Sequence, residues 1–151
     1  MLTIGQNVAW MFAYIYWGKY IDMRSPLRAT VVNVYLAVLV PMGYFFAWNW
    51  WALAPAHLIA GITNAGIEMA YFSAVLSFSE EGRTSHYQAL FAFIVGIRGI
   101  FAPFIGGALV EGFVSLGWDI KLIFPLVSII LVVGATMQVI ELRRDTNAQK
   151  A

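Results

Sequence analysis

Apolar residues in this chain do not alternate with polar ones. They run in long blocks, parted by short polar or aromatic breaks. A helix needs about 20 predominantly apolar residues to cross a hydrocarbon layer about 30 Å thick. The blocks predict spans over residues 2–17, 29–48, 51–78, 89–113 and 120–142, separated by GKYIDMRSPLR, a turn at Asn49, SEEGRTSHY and SLGWD. Strands of a membrane barrel would be about ten residues long and alternating; most of these blocks are twice that and do not alternate. The expected fold is all-α, a polytopic transmembrane helix bundle of about five spans over residues 1–142, with 143–151 as a cytoplasmic tail.

Composition supports lipid as the solvent. The 151 residues are 61% hydrophobic and 11% charged, against roughly 45–50% and about 25% in soluble domains. A chain this short buries only about two-thirds of its surface, too little to hide that surplus. A net charge of +1 gives no electrostatic case for nucleic acid. The absence of Cys excludes disulfides and thiolate metal sites. No basic segment or small-residue cleavage site precedes the first apolar run, so a removable signal peptide is not expected.

Charge sets the expected orientation, because cytoplasmic loops collect Lys and Arg. Lys19, Arg24 and Arg28 in the first break, Arg83 in the third, and Arg143, Arg144 and Lys150 in the tail fall on one side; only Lys121 falls on the other. The N-terminus is expected outside and the C-terminus in the cytoplasm of a cell (inner or plasma) membrane. Aromatics cluster at the same boundaries: Tyr16, Trp17 and Tyr20 near the first break, and Trp48, Trp50 and Trp51 near the second. Amphipathic rings favour that interface, so they read as anchors. An odd number of spans entered from outside suggests a missing preceding segment, with Met1 an internal methionine of a longer chain.

Helices in lipid associate where small residues let backbones approach. The third block carries Gly61, Ala65, Gly66, Ala70 and Ala74; the fourth carries Gly96, Gly99, Ala102, Pro103, Gly106 and Gly107. Pro103 is expected to kink or weaken its helix, and such Gly-Pro spans often line cavities in transporters.

Ionisable residues inside a span are costly and mark function. Glu68 and Arg98 each lie 15 positions from Arg83, which puts them at similar depth if the third and fourth spans are antiparallel. An ion pair between them, or a network shared with Asn64, is expected, either as a structural tie or as a substrate or coupling site. His57, about two turns into the third span, can titrate near neutrality, but more often such a His simply hydrogen-bonds a neighbour. Gln6 and Asn7 are expected to face the bundle interior, whereas Glu111 and Asp119 lie near the outer surface. His57 and His86 fall on opposite sides, so no His-based metal site is expected. No nucleophile elbow, H-E-x-x-H or phosphate-loop sequence occurs. Neither an enzyme nor a cofactor is expected.

The first break, Trp17-Gly-Lys-Tyr-Ile-Asp22-Met-Arg24-Ser-Pro-Leu-Arg28, resembles the loop signature of the major facilitator superfamily, G-x-x-x-D-R-x-G-R-R. Gly18 and Asp22 match; the first Arg is displaced to Arg24, Ser25 replaces Gly, and Arg28 stands as a later basic residue. The stretch from Gly61 to Tyr71 looks like helix ten of that superfamily, and Gly96 to Gly107 is similar to helix eleven and to the glycine-proline motif of helix five, with Ala102 where that motif has Gly. The resemblance covers about residues 5–142 and implies the C-terminal half, helices eight to twelve. It further implies a secondary-active transporter of a small solute working by alternating access, with Gly18, Asp22, Arg24 and Arg28 as a gating loop and Glu68, Arg98, Asn64 and His57 as substrate or coupling candidates. The implied partners are the lipid bilayer, a small-molecule or ion substrate, and either a missing N-terminal half or a second copy. The competing expectation is a non-transport membrane subunit or scaffold, tied by a structural Glu68–Arg98 pair.

Overall fold

The structure, a computed structural model, describes residues 1–79 and 83–148. All regular elements among them are helical: α1 (Leu2–Met23), α2 (Pro26–Ala37), α3 (Leu39–Phe46), α4 (Ala54–Phe78), α5 (Thr84–Ser115) and α6 (Ile123–Ala148), with 3-10 turns at Trp51–Leu53 and Ile120–Leu122. Four segments have the length and apolarity to cross a membrane: Pro26–Phe46, Trp51–Ser77, Thr84–Ser115 and Ile120–Arg143. The remaining expected span, the first, falls on α1, which has 22 residues and so the length. It is not among those four, because Gln6, Asn7 and Lys19 and its many Trp and Tyr residues dilute its apolar character.

Helix ends follow local chemistry. α1 continues six residues beyond the expected end at Trp17, so most of the first break is helical and only Arg24 and Ser25 separate α1 from α2. Ser25 caps α2 by accepting a hydrogen bond from the Arg28 amide (3.3 Å), and Pro26 follows at the first helical position, where its missing N–H costs nothing. The second expected span divides at Val38. Pro41 lies one turn further on; it cannot donate to the carbonyl of Ala37 and its ring crowds that carbonyl. Asn49 Oδ1 accepts from the Ala52 amide (2.8 Å) and starts the turn into α4. Gly117, at φ 71°, closes α5 in a conformation that a side chain would strain.

α4 is the centre of the bundle. α1 packs along it over the most extensive interface in the molecule, with α2 on a further face. Ala29, Ala65 and Ala70 are fully buried where these helices meet, and Gly61 and Gly66 allow the closest approaches. A Cβ on Gly61 would lie 2.2 Å from the Gln6 carbonyl oxygen, and one on Gly66 would lie 2.6 Å from Trp17 and 2.2 Å from Asn33 Oδ1. Trp17, 2% exposed, donates from Nε1 to the Ile62 carbonyl (2.9 Å), and Asn33 Nδ2 donates to the Thr63 carbonyl (3.0 Å). Without a hydrophobic drive between helices in lipid, such contacts hold a bundle together, each hydrogen bond giving about 0.6 kcal/mol and at most about 1.7.

α5 is the opposite case. None of its residues is buried, and a Cβ on Gly96, Gly99, Gly106 or Gly107 would meet nothing within 4 Å. Its glycines are therefore not packing sites against the described helices, contrary to the sequence expectation; the small residues that pack are those of α4. The helix also runs unbroken through Pro103 for 32 residues. The residue whose carbonyl the proline ring crowds is Gly99, which has open space around it to absorb the shift.

Candidate functional site

The polar residues of three helices converge on one cavity of about 540 Å³. α1 contributes Gln6, Asn7 and Trp10; α4 contributes Asn64, Ile67, Glu68, Tyr71 and Phe72; α5 contributes Phe91, Val95 and Arg98. The α4 set is spaced three and four residues apart, so helical geometry alone puts it on one face. Most of the walls are apolar, and the polar groups are few, which is the usual character of a small-molecule site.

The sequence candidates sort clearly. Glu68, Arg98 and Asn64 all line this cavity, as do Gln6 and Asn7. The equal spacing of Glu68 and Arg98 from Arg83 thus did bring them to one place. They do not form the expected ion pair: neither has any bond to the other. Instead the Tyr14 hydroxyl on α1 donates to Glu68 Oε2, and Arg98 has no hydrogen-bonding or ionic partner among the described residues. The physical reason lies in α5, which touches α4 only lightly and so holds the guanidinium away from the carboxylate.

His57 is not part of the cavity wall. Its Nδ1 donates to Gln6 Oε1 (2.9 Å), and its ring sits edge-on to Tyr44 at 5.7 Å. Its link to the cavity wall is this bond to Gln6. The gating-loop candidates lie elsewhere, at the other end of α1. Gly18 and Asp22 are helical and Arg24 is the cap residue, while Arg28 sits in the first turn of α2. Asp22, Arg24 and Arg28 are all exposed, and no ion pair joins them among the described residues. A carboxylate and two guanidiniums within seven positions gain little from pairing in water, where exposed pairs give about 0–1 kcal/mol.

Three important residues carried weak sequence signals. Tyr14 lies within the first apolar block, where a tyrosine carries no signal of its own. Asn33, fully buried, is a polar residue deep in an apolar block, and that position was a signal in itself. Trp10 stacks obliquely against Tyr14 at 5.6 Å and turns an apolar wall to the cavity. Comparison with protein-family models, with curated proteins and with solved structures finds no match to this chain.

Proposed function

We propose that this chain is part of a secondary-active membrane transporter for a small solute, working by alternating access and carrying the C-terminal-half architecture of the major facilitator superfamily. The observation that carries this reading is the cavity in which Gln6, Asn7, Asn64, Glu68 and Arg98 come together from three separate helices. Two full charges facing a common space at span depth are expensive unless a substrate or coupling ion uses them. A site shared between helices is also what alternating access requires, since relative motion of those helices then changes which side it opens to. α5 fits the same reading. Its glycine face meets no other helix among the described residues, so in the working transporter it is covered by another helical unit: an N-terminal half or a second copy. On the charge distribution, the N-terminus lies outside and the C-terminus in the cytoplasm. The scaffold alternative depends on a fixed Glu68–Arg98 bond, which the described residues do not make.

The sequence has no cysteine, which allows a direct test. Single cysteines replace Asn64 or Val95 in the protein as expressed in its own membrane, and a membrane-impermeant thiol reagent is applied from either face. Alternating access predicts that each position is modified from both faces. Modification from one face alone, or from neither, would rule the mechanism out.

A further inference from the structure

Taking the cavity as a solute site, as above, we propose that its occupant is a small zwitterion with an apolar or aromatic body, its carboxylate on Arg98 and its ammonium on Glu68. Opposite charges inside a membrane protein normally pair, because an unpaired charge is costly in a low dielectric. Here both line one cavity without bonding each other. The space between them calls for a molecule that carries both complements.

Each partner's chemistry is specific. Arg98 offers a planar fork of N–H donors and no acceptor, which matches a carboxylate with two parallel bonds. Glu68 has Oε2 occupied by the Tyr14 hydroxyl and Oε1 without a partner among the described residues, which matches the N–H donors of an ammonium. A simple anion would leave Glu68 uncompensated, and a simple cation would leave Arg98 so. A neutral solute would satisfy neither. Asn7 and Asn64 can each donate and accept, so they orient without selecting charge. Trp10, Tyr71, Phe72 and Phe91 supply apolar walls, and a volume of about 540 Å³ leaves room for a body the size of an aromatic amino acid or a dipeptide.

The test is equilibrium binding to the purified protein, in its assembled form in lipid nanodiscs, with radiolabelled phenylalanine and phenylalanyl-alanine as probes of two charge separations. Competitors are 3-phenylpropionate, which lacks the ammonium, and phenethylamine, which lacks the carboxylate. At least one zwitterion is expected to bind, with both half-molecules at least about tenfold weaker, because each leaves one of the two charges lining the cavity without its complement. Glu68→Gln is expected to reduce the margin over 3-phenylpropionate, and Arg98→Gln the margin over phenethylamine. Such selective shifts cannot come from misfolding, and if one variant fails to fold the other and the wild-type comparison still decide. The assignment is overturned if neither zwitterion binds, if a half-molecule binds as well as its parent, or if the folded variants leave the margins unchanged. The thiol experiment separates this from transport itself. Two-sided access without zwitterion preference removes only the substrate class, whereas zwitterion binding with one-sided access removes only the transport cycle.

Discussion

At the scale of single residues, two glycines make a controlled comparison. Gly66 has no room for a methyl group, since Asn33 Oδ1 would be 2.2 Å and Trp17 2.6 Å away. Gly66→Ala is therefore expected to destabilise the bundle by about 1–3 kcal/mol, the usual cost of overpacking. Gly99 has open space, so Gly99→Ala should change stability within about ±0.5 kcal/mol. Unfolding midpoints in mixed micelles measure both, and equal effects would contradict the packing described. Asn33→Leu removes the bond to the Thr63 carbonyl and forces a branched side chain against Gly66; a loss of about 1–3 kcal/mol is expected in the same assay. These residues also mark what the sequence made legible. Glu68, Arg98 and Asn64 stood out because charge and amide are rare in apolar spans, and all three proved to share a cavity. The Tyr14 bond to Glu68 was not legible: a tyrosine within an apolar block carries no sign of which way its hydroxyl turns.

At the scale of elements, α4 and α5 hold comparable numbers of small residues but behave differently. Spacing of Gly and Ala predicted close packing on both helices; whether a partner arrives depends on contacts far away in sequence, which periodicity does not encode. Boundaries were legible to within a few residues where a chemical stop existed, as at Ser25-Pro26 and Gly117. They failed at the end of α1, where Lys19 and Asp22 looked like loop residues yet are accommodated on an exposed helical turn. Local stability should follow burial. With no buried residue in α5 and several in α1 and α4, hydrogen exchange of this chain in detergent is expected to be fastest along α5 and slowest where α4 meets Trp17 and Asn33. Uniform protection across the helices would contradict that order. α5 is also long, about 48 Å at 1.5 Å per residue. It exceeds a hydrocarbon layer of about 30 Å, so it tilts or extends into the headgroups.

At the scale of the molecule, the helical membrane class was legible from block length and composition, because lipid-facing surface must be apolar whatever the packing. Orientation rests on charge alone and makes its own prediction. A cysteine at Asn49, in the turn before α4, should react with an impermeant reagent added outside intact cells. One at Ser85, in the first turn of α5, should react only after the cytoplasmic face is opened. The reverse pattern would invert the molecule and move every basic break to the outside. What composition could not supply is the division of labour between helices. The segments with the most apolar sequence, α5 and α6, bury little or nothing, whereas the more polar α1 packs one face along α4.

That division has a consequence for how the chain is made. α5 and α6 can enter lipid on their own merits. α1 cannot rely on that, because His57, the residue that bonds Gln6, lies on α4, and 51 positions separate the two. At about 5–20 residues per second, a ribosome needs roughly 3–10 s to cover that distance. During those seconds α1 waits without its α4 partner, a natural client for whatever in the insertion machinery holds polar helices until their mates emerge.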